Sequence, residues 1–75
     1  MKDRMTALEV ACEHSYMSRR MVAARADISL RSLERYLSGE RIPPVTLGER
    51  LADILEVPLT DLWTAEGSVI YEHHS

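Results

Sequence analysis

The sequence predicts an all-α domain of five short helices, followed by a short strand or tail at the C-terminal end. Three observations carry that reading. Apolar residues recur at three- and four-residue spacings along successive segments, which gathers them on one face of a helix. Ser18, Ser29 and Thr46 stand just ahead of such segments, where a hydroxyl accepts from a free backbone N–H of the first turn. Asp27, Gly39, Pro43, Pro44 and Pro58 fall between the segments, where each residue type stops or turns a helix.

The first helix is expected over residues 3–15, with Met5, Leu8, Ala11 and Cys12 as its inward stripe. Ser18 caps the second, SRRMVAARA, whose inward residues are Val22, Ala23 and Ala26. Asp27 ends it, since aspartate enters the left-handed backbone region at modest cost. Ile28 drops into the core and Ser29 caps the third helix, in which Leu33, Tyr36 and Leu37 point inward while Arg31, Ser32, Glu34 and Arg35 face out. Leu30 joins the inward set only if the helix rolls.

Gly39 closes the third helix, and the two prolines of ERIPP prevent it from resuming. The fourth is expected to begin near Thr46 in a capping box with Glu49, to run to about Glu56 and to bury Leu47, Leu51, Ile54 and Leu55. Leu59, Leu62 and Trp63 suggest a fifth helix, started by Pro58 or capped at Thr60, with Trp63 as a lid on the core. After Gly67 a β-branched and aromatic run reads as a short strand or a frayed tail. Residues 1–67 are thus read as one domain, with a two-helix motif at about 18–38, and residues 68–75 as its tail.

A 75-residue chain leaves room for one small core, since domains of this size bury only about 60% of the surface of the unfolded chain. With 45% hydrophobic and 28% charged residues it falls among ordinary globular proteins. No apolar run approaches the roughly 20 residues that span a bilayer, and MKDRMTALEV lacks the plan of a secretory signal, so a cytoplasmic setting and no membrane partner are expected. Cys12 stands alone, which excludes an intrachain disulfide and a cysteine zinc site; it is expected as a small buried side chain.

The formal charge of −3 argues against a nucleic-acid partner until its distribution is examined. From Ser18 to Arg41 lie Arg19, Arg20, Arg25, Arg31, Arg35 and Arg41 against Asp27, Glu34 and Glu40, a local charge of +3. The remainder carries −6, with Lys2, Arg4 and Arg50 outnumbered by nine acids. Such a split gives one positive face and an acidic back, an arrangement that orients a protein toward a polyanion.

Two short helices joined by a tight turn, with Ala23 where they cross and arginines outside, meet the requirements for entering a major groove about 12 Å wide. Arg31 and Arg35, four apart, point the same way, and guanidinium groups so placed can bind guanine O6 and N7. Other chemistry is poorly provided for. His73 and His74 beside Glu72 lack a third ordered metal ligand, and Glu34 with Glu40 has no cleft in which to act as a catalytic pair. No nucleophile-base pattern or phosphate-cradling glycine loop is present, so neither enzyme activity, cofactor, metal nor small-molecule effector is expected.

The run SRRMVAARADISLRSLERYLSGERIPPVTLGERLADILEVPLTDLW, residues 18–63, resembles the helix-turn-helix of phage lambda-repressor-like and Cro-like regulators, the Xre family. The likeness lies in Ala23, in Ile28 and Ser29 after the turn, in Leu33 and Tyr36, in Ser38-Gly39-Glu40-Arg41, and in the Leu-Ala-Asp-Ile-Leu-Glu-Val stretch ahead of the last helix. It implies a compact lambda-repressor-like domain and a transcriptional regulator in a bacterial cell or phage-infected host. By position, it assigns base reading to Leu30, Arg31, Ser32, Glu34 and Arg35, with Leu30 toward a thymine methyl and Glu34 toward cytosine N4. It assigns phosphate contacts to Ser18, Arg19, Arg20, Ser29, Ser38 and Arg41. Where the family commonly has glycine this chain has Asp27, and where it often has glutamine, Arg19 and Leu30.

One small module covers one half-site, so a homodimer on an inverted repeat with half-sites about 34 Å apart is expected. Its contact would be the tail Ser68–Glu72, pairing as an antiparallel strand with its own copy, or the junction near Trp63. The competing reading is a protein-interaction module on the same fold, antitoxin-like or anti-repressor, without sequence-specific DNA readout; the acidic total charge and Asp27 favour it.

Overall fold

The structure, a computed structural model, describes residues 4–73. It contains four α-helices, one 3-10 turn and two short strands rather than five helices. Strand β1 (Arg4–Thr6) leads into α1 (Ala7–His14), α2 (Arg19–Ala26), α3 (Leu30–Ser38) and α4 (Val45–Leu55). A 3-10 turn at Leu59–Asp61 and strand β2 (Tyr71–His73) complete the order.

The first departure lies at the amino end. Met5 is not on a helical stripe but in β1, and α1 starts only after Thr6, whose Oγ1 accepts from the Glu9 N–H at 3.0 Å. Here Thr6 and Glu9 have the spacing of a capping box. β1 pairs antiparallel with β2, Arg4 opposite His73, Met5 opposite Glu72 and Thr6 opposite Tyr71. The tail is therefore a strand within its own chain.

α2 and α3 form as the caps dictate. Ser18 Oγ accepts from Met21 N (3.2 Å) and Ser29 Oγ from Ser32 N (3.0 Å), each supplying an acceptor that a helix start lacks. Asp27 sits in the left-handed region at φ 59°, and its N–H and that of Ile28 reach back to the Ala24 and Ala23 carbonyls. This is the Schellman arrangement, and Glu56 repeats it at the end of α4 with Ala52 and Asp53 as acceptors.

α4 begins one residue before the expected cap. Pro44 occupies the N-cap position without a side-chain bond, so the Thr46 capping box is not made. Proline needs no partner for a missing N–H, and its fixed φ suits a helix entrance. The expected fifth helix is reduced to the 3-10 turn after Pro58. Thr64–Gly67 then turn the chain back, with Gly67 at φ +85° and Trp63 bridged to Val69.

The core is one cluster. Leu8 and Cys12 from α1, Val22, Ala23 and Ala26 from α2, Leu33 and Leu37 from α3, and Leu51, Ala52 and Leu55 from α4 are buried together, with Leu62 and Trp63 closing it. Tyr36, Ile28, Leu30, Leu47 and Ile54 are half-buried at its margin. Buried Gly48 leaves space for the indole: a methyl there would stand 3.3 Å from Trp63 Cζ3. No described helix is long and apolar enough to cross a membrane.

Candidate nucleic-acid interface

The interface follows from what α2 and α3 must bury. Ala23 and Ala26, 3% and 0% exposed, let the two helix backbones approach at the corner; a larger side chain at either position would spread them. On α3 the buried residues are Leu33 and Leu37, so helical periodicity turns Arg31, Glu34 and Ser38 outward, and all three are exposed. Ser32 and Arg35 flank that row half-buried, and Leu30 leans against the core.

Of the expected base-reading residues, then, Arg31 and Glu34 stand clear of the surface. Arg31 makes no ion pair among the described residues. The Arg35 guanidinium has its Nε 3.9 Å from Glu40 Oε2, with both side chains substantially solvated. An exposed pair at that separation is worth at most about 1 kcal/mol and yields readily to a phosphate or a base edge.

The expected phosphate contacts divide into two groups. Arg20 and Arg41 are exposed and make no ion pair among the described residues, whereas Arg19 Nη2 lies 3.3 Å from Glu9 Oε2 on α1. That pair offsets a cation placed at a helix N-terminus, where the macrodipole disfavours positive charge. The serines are structural before they are anything else. Ser18 and Ser29 cap their helices, and Ser29 also donates to Ser32 Oγ at 3.0 Å. Ser38 donates its proton to the Arg35 carbonyl and accepts from Glu40 N, so it reaches outward only through its remaining acceptor capacity.

Residues that the sequence reading passed over hold this corner from outside. Arg50 on α4 donates from Nη1 to the Ala26 carbonyl at 3.1 Å and so caps the carboxyl end of α2. Thr6, 2% exposed, donates from its hydroxyl to the Leu37 carbonyl in the last turn of α3. Tyr71 lies against Gly39, the left-handed cap of α3: a methyl at Gly39 would fall 2.6 Å from Tyr71 Oη and 3.3 Å from Thr6 Cγ2. The Thr6-x-x-Glu9 spacing was the available signal for Thr6; nothing in the sequence marks Arg50.

Among the described residues no group of three His, Cys, Asp or Glu could hold a metal, and His74 lies outside them. Cys12 is buried and its thiol is pushed up to about 11, chiefly by desolvation, with nearby Glu9 and Glu13 adding to the rise and Arg19 opposing it. A thiol so protonated is a poor nucleophile at neutral pH.

No curated protein and no solved structure matches the chain. A family model for the helix-turn-helix domain matches residues 6–63, which spans α1 to Trp63 and takes in the whole two-helix corner. The chain belongs to the helix-turn-helix domain family.

Proposed function

We propose that the protein is a sequence-specific double-stranded DNA-binding transcriptional regulator of the repressor or Cro-like type, with α3 as the helix that enters the major groove. The observation that carries this reading is the two-sidedness of α3. Its Leu33–Leu37 face is sealed into the core while Arg31 and Glu34 project from the other side, ahead of a corner tight enough to fit a groove. Arg31 and Arg35 read guanine, Glu34 accepts from cytosine N4, Leu30 meets a thymine methyl and Ser32 lies between them. Ser18, Arg19, Arg20, Ser29, Ser38 and Arg41 contact phosphates, Ser18 and Ser29 through the N–H groups of the helix starts they cap and Ser38 by turning its hydroxyl proton from the Arg35 carbonyl to a phosphate oxygen.

The protein acts as a homodimer on an inverted repeat. With β2 engaged to β1, the junction near Trp63 is the better dimer contact of the two candidates. There an apolar cavity of about 230 Å3 is lined by Ile42, Pro43, Val45, Leu59 and Trp63, of which Ile42 and Val45 are 51% and 71% exposed. An exposed apolar concavity of this kind can meet its own copy across a two-fold axis. Sedimentation equilibrium with Val45→Glu tests it: the expected result is a monomer, and an undiminished dimer refutes this contact.

Selection of duplexes by the purified protein tests the main reading. Binding through about five phosphates should weaken steeply with salt. Arg31→Ala should relax preference at one base pair by about 1 to 3 kcal/mol, whereas Arg41→Ala should weaken all sequences alike and lower the salt slope by about 1. If neither substitution alters binding to any duplex, the protein-interaction reading, favoured by the −3 charge and by exposed Ile42 and Val45, replaces this one.

A further inference from the structure

The motif fixes only one end of α3. Its amino end follows directly from the α2 turn, through the Ile28 N–H bonded to the Ala23 carbonyl at 3.0 Å and through the Ser29 cap. Its carboxyl end is held by β1 and β2, elements at opposite ends of the described chain. Thr6 donates to the Leu37 carbonyl, and Thr6 Cγ2 and Tyr71 Oη lie so close over Gly39 that a Cβ there would have to displace the tyrosine hydroxyl.

Register strengthens the point, because Thr6 and Tyr71 are cross-strand partners. One rung of the sheet therefore supplies both contacts. Thr6 is doubly committed, since the oxygen that donates to α3 also accepts from Glu9 N at the start of α1. The same hydroxyl thus links the beginning of α1 to the end of α3.

A nine-residue helix is about 13 Å long, and a swing pivoting at the α2 turn moves its far end most. Leu30 and Arg31 lie near the pivot; Arg35 and Ser38 lie beyond it. Resting on the DNA reading given above, we propose that the β1–β2 sheet sets the pitch at which α3 meets the groove. Thr6 and Tyr71 are then positioning residues for the base read by Arg35. They touch no DNA themselves.

The test uses the full chain with Thr6→Val, Tyr71→Ala and, as the conservative restoration, Thr6→Ser. Residual dipolar couplings of backbone amides report the α3 axis relative to α4 without any DNA present. Duplex selection reports base preference position by position. The expected result is a changed α3 axis in Thr6→Val and Tyr71→Ala, with Thr6→Ser like the parent. Preference at the position lost in Arg35→Ala should fall about tenfold in the two variants, a change within the range of one mis-set base contact. Preference at the Arg31 position and affinity for random duplex should hold. Thr6→Val also removes the α1 cap, so if it does not fold, Tyr71→Ala decides, because Tyr71 is 42% exposed and lies outside the core. An unchanged axis overturns the inference, as does a uniform loss across all positions. Failure of the parent chain to select any duplex overturns instead the reading on which the inference rests, and is seen before any variant is made.

Discussion

Asp27 and Glu56 are a matched pair in which one backbone geometry serves two different places. They lie at φ 59°, ψ 44° and φ 59°, ψ 43°, and each ends its helix with the same two reversed hydrogen bonds. A residue with a Cβ in this region loses roughly 1 to 2 kcal/mol, aspartate being at the low end, while glycine forfeits about 0.5 to 1 kcal/mol through its freer unfolded chain. For Glu56→Gly the net backbone gain is therefore about 0.5 to 1 kcal/mol. Removing a negative charge from a helix carboxyl end adds about 0.3 to 1 kcal/mol. The sum, about 1 to 2 kcal/mol, should raise Tm by about 4 to 16 °C. Asp27→Gly should gain less, about 0.5 kcal/mol, because aspartate enters the region more cheaply. Calorimetry at low and high salt separates the parts, since only the charge contribution is screened. Binding then distinguishes the sites: Asp27→Gly removes an acid from the turn leading into α3 and should strengthen binding to every duplex, whereas Glu56→Gly, outside the motif, should leave affinity unchanged. A lowered Tm in either variant, or an equal affinity gain in both, would refute the reasoning.

Two further outcomes follow from single contacts. Arg50→Ala should cost about 1 kcal/mol by uncapping the Ala26 carbonyl, measured by urea denaturation, while Arg50→Lys should recover part of it; an unchanged midpoint would show the bond to be idle. Cys12 should resist alkylation at pH 8 until the protein is unfolded. Since burial lifts its pKa from 9.0 to about 11, the folded state holds the thiol proton that the unfolded state releases, and stability falls as pH rises between those values. Cys12→Ala should flatten that part of the pH profile relative to the parent.

The segment from Ser18 to Gly39 was legible because everything that shapes it is local. Two serine caps, a left-handed aspartate and a left-handed glycine each act within four residues and the structure places all four as expected; of the apolar set, Leu33 and Leu37 are buried, while Tyr36 and Ile28 reach only the core margin. The amino end was not legible. Arg4–Thr6 is too short to show a two-residue period, and its partner strand lies at the other end of the chain, so Met5 fell by spacing onto a helical stripe it does not join. The fifth helix failed for a related reason: Leu59, Leu62 and Trp63 have helical spacing, but Pro58 and the turn at Gly67 leave no length in which to use it. At the interface, exposure of Arg31 and Glu34 followed from the period of α3. The Arg19–Glu9 and Arg50–Ala26 contacts join separate elements and had no local signature.

The pairing of Arg4–Thr6 with Tyr71–His73 also bears on the order of assembly. Closing a loop of that span costs about 4 kcal/mol of chain entropy before any rung is gained, whereas the helices and their corner close over short separations. The strands should consequently join last and part first. A circular permutant that ties them by a tight turn and opens the chain between Thr64 and Gly67 would convert this slowest step into hairpin formation, and the rate of folding would rise with the helical corner left intact.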